Sequence, residues 1–152
     1  MNLQTPKEFC KLHTTCTDGA AFAGQFSTLA EVWDNCHRAD WLFWMIEKAG
    51  IKGLDRELRL FACKCAENCK PTDPRSIAAI AVSRRYANGE ATDADLDEAM
   101  DAAREVAREA VVYAANYAAW GAYRTTAMAE ARAKQATLLR SFVENPFMEQ
   151  TK

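Results

Sequence analysis

Three side chains that commonly bind zinc lie at three-residue spacing near the start of the chain: Cys10, His13 and Cys16. Cys36 is available as a fourth ligand. Zinc binds thiolates and imidazoles tetrahedrally, and side chains three residues apart on a helix can share one ion. On a regular helix Cys16 points about 120° away from Cys10, so it reaches the same ion only if the helix ends before it. A zinc site at these four residues is one hypothesis.

The cysteines also fit the interior of an ordinary core. Cys is among the most buried residue types, and the chain lacks the CxxC spacing of zinc knuckles. Cys65 and Cys69 continue the apolar stripe of a predicted helix, and Cys63 lies beside them. We therefore expect reduced core thiols and no cofactor, with zinc as the alternative.

A thiol enzyme would use Cys10 as the nucleophile and His13 as its base, which requires a lowered thiol pKa and an oxyanion site. The sequence supplies only the spacing. The chain has two histidines and contains no P-loop, dinucleotide fingerprint, HExxH motif or nucleophile elbow. The prediction is a protein without enzymatic activity.

Two groups of residues in the C-terminal half suit contacts with another protein. The first is an acidic run that includes Asp93, Asp97 and Asp101, whose carboxylates can occupy a basic groove. The alternative is that these acids complement the dipole at a helix start and keep an Ala-rich helix soluble. The second group consists of aromatic side chains further along the chain: Tyr113, Tyr117, Trp120 and Tyr123.

Basic residues between Lys48 and Arg85 are the candidates for a nucleic-acid surface. Acidic residues such as Asp55 and Glu57 are interspersed among them, which is typical of an ordinary solvated face. The formal net charge of −2 gives no overall attraction for a polyanion. Nucleic-acid binding is therefore a further alternative that the sequence does not support.

Helix-capping signals divide residues 1–91 into short helices around a Trp-rich core. Thr5 and Thr28 each begin a capping box, and Asp40, Asp55 and Asp73 are the other predicted starts. Predicted helices cover about 5–15, 28–36, 41–49, 55–69 and 74–87, and 20–26 form a short apolar stretch. The segment 41–49 is apolar nearly all round and is expected at the centre of the core.

Residues 92–144 form an Ala-rich block with helical periodicity. As one helix, its roughly 51 proline-free residues would measure about 75 Å, longer than a compact domain of this size is wide. We expect a break between 116 and 126, which gives a hairpin, with one long helix as the alternative. The fold is predicted to be an all-α bundle of about six to seven helices, a single domain over 1–145 with a loose tail at 146–152.

Residues 1–20 lack the basic start and the continuous apolar core of a signal peptide, and no apolar run in the sequence reaches the length expected of a membrane span. These features predict a cytoplasmic protein with no membrane partner.

Three stretches together resemble a known family. They are Asp40-Trp41-Leu42-Phe43-Trp44, Arg56 to Cys63, and Asp73-Pro74-Arg75-Ser76 leading to Tyr86-Ala87-Asn88-Gly89-Glu90-Ala91-Thr92. Followed by an Ala-rich tail, they are similar to small helical proteins of bacteriophages and bacteria, some of which are labelled immunity proteins. The tail departs from the family because Val111-Val112-Tyr113 and Gly121-Ala122-Tyr123 interrupt its alanines.

The resemblance implies a helical module of phage or bacterial conflict systems that binds and inhibits a toxin or a host defence protein. The lack of catalytic motifs agrees with such a role. The expected function is thus protein binding through the acidic run and the aromatic group.

Overall fold

The computed structural model describes residues 5–114 and 121–148, and within 106–128 it describes helical backbone only. The described residues form eight helices and no strand, so the all-α prediction is confirmed. The helices are α1 (Pro6–Leu12), α2 (Thr17–Ala23), α3 (Leu29–Asn35), α4 (Ala39–Lys48), α5 (Asp55–Asn68), α6 (Pro74–Ala87), α7 (Asp93–Ala114) and α8 (Gly121–Phe142).

The capping signals account for most helix starts. Both predicted capping boxes form: the Thr5 hydroxyl accepts from the Glu8 amide and the Thr28 hydroxyl from the Glu31 amide, while each glutamate accepts from the capping backbone. Asp73 accepts from the Arg75 amide, and Pro74 occupies the first position of α6. These bonds satisfy amides that have no partner inside the helix.

Two details near α4 differ from the prediction. Residues 17–23, expected as a turn and an apolar stretch, form the regular helix α2. Helix α4 begins at Ala39 with Arg38 as its N-cap, so Asp40 lies in the first turn instead of capping it. The Asp40 carboxylate pairs with the Arg38 side chain, which explains why it is not free to cap the helix.

The chain divides into two compact units. One contains residues 1–52 and 131–152, and the other contains residues 53–130. We call them the N-terminal unit and the central unit.

The core of the N-terminal unit joins residues that are distant in sequence. Trp33, Leu42 and Leu139 are 0% exposed and Phe147 is 1% exposed. The ring centres of Trp33 and Phe147 lie 6.0 Å apart. The Asn145 side-chain amide donates to the Ala30 carbonyl at 3.0 Å and accepts from the Phe147 amide at 3.0 Å. The expected loose tail from residue 146 is therefore wrong at Phe147, because this side chain fills the core.

The central unit packs α6 against both α5 and α7. Phe61, Cys63 and Ala79 are its buried apolar residues among those described. The predicted apolar faces are wrong in part, since Cys69 of the α5 stripe is exposed and Ile77 of the α6 stripe is 50% exposed. Cys69 is exposed because α5 ends at Asn68 and Cys69 is its C-cap. In α6, helical spacing alone could not tell which side of a weakly amphipathic helix would meet a neighbour.

The predicted break at 116–126 is wrong over 121–126, because these residues are helical and belong to α8. The rest of it falls within residues 115–120, which lie outside the described residues. Helix α7 ends at Ala114 before this segment and α8 begins at Gly121 after it. None of the helices that the structure describes has the length and apolar composition needed to cross a membrane.

Candidate functional site

A partly open cavity of about 290 Å³ lies within the N-terminal unit, between α1, α2, α3 and α4. Its walls are mainly aromatic and aliphatic side chains. The largest of them are Phe9, Phe22, Leu29, Trp41, Trp44 and Met45. A concave, mostly apolar pocket with few polar groups is the usual form of a small-molecule site.

Ring contacts between helices fix the orientation of the aromatic walls. Phe9 of α1 meets Trp44 of α4 edge to face, with ring centres 5.6 Å apart. Phe22 of α2 lies 5.7 Å from Trp41 of α4. The Arg38 guanidinium covers the Trp41 ring at 4.5 Å from its centre, a cation–π contact. Each wall ring is therefore held by a neighbour.

Asp40 is the one charged residue among the described residues that line the cavity, and its side chain is 52% exposed. Its Oδ1 accepts from the Arg38 Nε at 3.1 Å, and its Oδ2 forms an ion pair with the Arg38 guanidinium. Hydrogen bonds from Arg38 hold the pKa of Asp40 below its usual value. This ion pair keeps Asp40 ionised at neutral pH, and the Arg38 guanidinium balances the negative charge of the carboxylate.

The connection between α1 and α2 also lines the cavity, through Thr14, Thr15 and Cys16. Thr14 has a φ of 52°, a left-handed conformation that is rare for a β-branched residue. The Thr15 hydroxyl oxygen is buried and has no hydrogen-bond partner among the described residues. Gly19 allows this connection to approach α2, since a Cβ there would lie 2.8 Å from the Thr15 Cγ2.

Three of the four predicted zinc ligands, Cys10, Cys16 and Cys36, line the cavity. The fourth, His13, packs instead against aromatic rings, with centres 4.6 Å from Phe9 and 6.2 Å from Trp44. Helix α1 does end before Cys16, as a shared ion would require. Nevertheless, no three His, Cys, Asp or Glu side chains within the described parts of the chain are grouped so as to hold a metal ion.

The cavity thiols differ in exposure. Cys10 and Cys36 are buried, whereas Cys16 is exposed. The Cys36 thiol donates to the Arg38 carbonyl at 3.4 Å, and burial raises its pKa. A raised pKa leaves the thiol protonated at neutral pH, which is opposite to what a nucleophilic cysteine requires.

The predicted acidic contacts lie on α7 of the central unit. Asp93, Asp97 and Asp101 are exposed, and so are the neighbouring Asp95 and Glu98. Asp93 accepts from the Tyr86 hydroxyl at 2.6 Å, and Asp101 pairs with Arg104. The side chains of Tyr113, Tyr117, Trp120 and Tyr123 lie outside the described residues.

Basic side chains of the central unit are engaged locally. Arg84 and Lys64 both form ion pairs with Glu67. Arg56 bonds to Asn88 at 3.0 Å, and Arg59 lies over the Tyr86 ring. This mixture of charges within one unit is typical of a solvated protein surface.

The aromatic cavity is the feature that the sequence did not reveal. Its walls come from four helices, and no local motif links Phe9, Phe22 and Trp44. The available signal is the aromatic cluster of Trp41, Phe43 and Trp44, in the segment that the sequence predicts at the centre of the core. Trp41 and Trp44 are in fact only half-buried, and both line the cavity.

Comparisons with protein-family models, with curated proteins and with solved structures give no match to this chain. The resemblance to Ala-rich helical proteins of phages and bacteria therefore stays a prediction.

Proposed function

We propose that this chain is a non-enzymatic protein-interaction module that binds a basic surface of another protein through the first half of α7. The observation that carries the proposal is the exposed acidic face formed by Asp93, Asp97 and Asp101 along one side of α7, flanked by Glu98. Arg104 is the single basic side chain between residues 93 and 105. A concentrated surface charge of one sign accelerates encounter with a complementary partner.

The helix dipole accounts for only part of this face. Its effect falls off within the first turn, which contains Asp93 and Asp95. Asp97, Glu98 and Asp101 lie beyond that turn. Asp97 is spaced four residues from both Asp93 and Asp101, and like charges at this spacing destabilise a helix by about 0.2–0.5 kcal/mol per pair. A face that carries such a cost supports a role in binding.

The biological role that we propose follows the resemblance to immunity-type proteins. In that role the chain binds and inhibits a toxin or a host defence protein, and the carboxylates occupy a site that normally receives an anionic substrate. Tyr113, Tyr117, Trp120 and Tyr123 are proposed as further contacts, with Trp120 as the aromatic anchor, since Trp and Tyr dominate binding energy at protein interfaces.

Crosslinking in bacterial cells tests the proposal. The tagged chain is crosslinked, a partner is identified by mass spectrometry, and the purified pair is studied by biolayer interferometry. We expect the double variant Asp97→Lys/Asp101→Lys to lower the association rate at least tenfold at low salt, with a smaller effect at high salt. Trp120→Ala is expected to raise the dissociation rate.

Glu144→Lys is the matched control, because Glu144 is also exposed but belongs to the N-terminal unit. Its affinity should equal that of the unaltered chain. An identified partner whose affinity is the same for the Asp97→Lys/Asp101→Lys variant would refute binding through this face.

A further inference from the structure

The cavity of the N-terminal unit has the size of a two-ring ligand. Its volume is about 290 Å³. An engineered apolar cavity of roughly 150 Å³ in another protein binds benzene. The space between α1, α2, α3 and α4 is therefore about twice what one aromatic ring needs.

The walls favour a flat, apolar molecule. Phe9, Phe22, Trp41 and Trp44 present aromatic surfaces, which prefer stacked or edge-to-face contacts with another ring. The contacts of Trp41 with Phe22 and Arg38 hold its ring in place before any ligand arrives. Such preorganisation reduces the conformational entropy that binding costs.

The polar groups of the lining define the rest of the ligand. Among the described residues no lysine or arginine lines the cavity, and the Arg38 guanidinium beside it is already paired with Asp40. An anionic group would therefore have to compete with Asp40 for this counter-charge. Asp40 is already paired with Arg38, yet each carboxylate oxygen has lone pairs to spare. The carboxylate thus suits a neutral N–H or O–H donor better than a free cation.

An unpaired polar group in the lining is an independent observation. The buried Thr15 hydroxyl oxygen at the cavity has no hydrogen-bond partner among the described residues. A buried polar group without a partner costs free energy, which a ligand with a polar atom within reach can recover. The left-handed conformation of the preceding Thr14 belongs to the end of α1, where the Thr15 amide donates to the Cys10 carbonyl at 3.1 Å.

We propose that this cavity binds an uncharged two-ring aromatic molecule that carries one hydrogen-bond donor, the chemical class of indole. The rings lie in the cavity against Phe22, Trp41 and Trp44, and the donor faces the Asp40 carboxylate. The proposal concerns the N-terminal unit and does not depend on partner binding through α7.

The test is a titration of the ¹⁵N-labelled full-length chain with indole, followed by NMR. We expect saturable shifts of the Trp41 and Trp44 side-chain N–H signals. The Trp33 signal is an internal control, since Trp33 is 0% exposed and does not line the cavity. Equal or non-saturating shifts of all three signals would mean non-specific association and would overturn the proposal.

Two ligand analogues test the proposed chemistry. 1-Methylindole lacks the N–H donor and is expected to bind about tenfold more weakly than indole. Indole-3-acetate adds an anionic group and is expected to bind more weakly still. Tighter binding of indole-3-acetate, or equal binding of 1-methylindole, would contradict the assignment of a neutral donor ligand.

Ala23→Leu tests the location, because Ala23 is buried and lines the cavity. The added side chain should fill the space and weaken indole binding at least tenfold without lowering the melting temperature. Ala20→Leu makes the same change on the exposed side of α2 and should bind indole normally.

Val32→Met enlarges a side chain on a different wall of the cavity. It provides a second test of where indole binds if Ala23→Leu does not fold. We expect the same loss of indole binding. Unchanged indole affinity in a folded cavity-filling variant would place the binding site elsewhere and refute the proposal.

Discussion

The Arg140 guanidinium donates a hydrogen bond to the carbonyl oxygen of Cys36 at 2.6 Å, and the same nitrogen lies 3.1 Å from the Trp33 carbonyl oxygen. Both carbonyls belong to the end of α3, where the helix itself leaves them without partners. A positive charge also complements the negative end of the helix dipole. One side chain from the end of α8 thus caps the C-terminal end of α3, which lies more than a hundred residues earlier in the sequence.

Replacing Arg140 with methionine should keep much of the apolar packing and remove these bonds. We expect the free energy of unfolding to fall by about 1.5–3 kcal/mol, the usual value for hydrogen bonds to a charged group. Urea denaturation followed by circular dichroism measures the change. Lys134→Met, at an exposed site of the same helix, is the control and should change stability by less than about 0.5 kcal/mol.

The last described residues make a second contribution to the N-terminal unit. Phe147 is 1% exposed and packs on Trp33. Phe147→Ala is expected to lower the free energy of unfolding by about 3–5 kcal/mol, because it leaves a cavity beside a large aromatic ring. Urea denaturation measures this, and near-ultraviolet circular dichroism reports the loss of order around Trp33.

Met148→Ala is the matched control, since Met148 follows directly and is 56% exposed. We expect it to change the stability by less than about 1 kcal/mol. Full stability in a chain that ends before Phe147 would contradict the role of this side chain in the core.

Local signals made most of the helices predictable. A Thr hydroxyl and a Glu carboxylate three residues later form a capping box from nearby atoms alone, and proline after Asp73 needs no distant partner. Asp40 shows the limit of such reasoning. Its type and position suit an N-cap, but the preceding Arg38 captures the carboxylate and the helix starts one residue earlier than Asp40.

The candidate sites were less predictable because they depend on contacts between distant segments. The aromatic cavity needs α1, α2, α3 and α4 together, and nothing in the spacing of Phe9 and Trp44 reveals that their rings meet. Likewise, the sequence indicated Cys10, Cys16 and Cys36 as possible zinc ligands, and all three line one cavity. The relative positions of their thiols, however, depend on how the helices pack and not on three-residue spacing in the sequence.

The cysteines should differ in reactivity as they differ in burial. Cys16 and Cys69 are exposed, whereas Cys10, Cys36 and Cys63 are buried. Burial raises the pKa of both Cys36 and Cys63, which lowers the fraction of reactive thiolate at a given pH. With iodoacetamide at pH 8 we expect Cys16 and Cys69 to be alkylated first and Cys36 last, as measured by peptide mass spectrometry.

Alkylation in urea provides the control for intrinsic reactivity. All six thiols should then react at similar rates, since burial no longer separates them. Rapid labelling of Cys36 in the folded chain would contradict its buried, hydrogen-bonded position.

The cap of α6 should make stability depend on pH in the acidic range. The side chain and amide of Arg75 hydrogen-bond to Asp73 and lower the pKa of its carboxyl to about 2. In the unfolded chain an aspartate titrates near pH 4, roughly 3.9. The ionised group therefore stabilises the fold fully above about pH 4, and this contribution is lost as the pH falls through about 2.

Asp73→Ala removes that contribution. The difference in melting temperature between this variant and the unaltered chain should be largest at neutral pH. It should shrink as the pH falls below the unfolded-state pKa of aspartate, roughly 3.9. Thermal melts by circular dichroism at several acidic and neutral pH values measure it. Asp73→Asn keeps a capping oxygen without the charge, so its loss at neutral pH should be smaller than that of Asp73→Ala. Its difference from the unaltered chain should shrink over the same acidic range, because both variants lack the titrating carboxyl. An NMR titration that placed the Asp73 carboxyl at its unfolded-state value would show that Arg75 does not hold the ionised form.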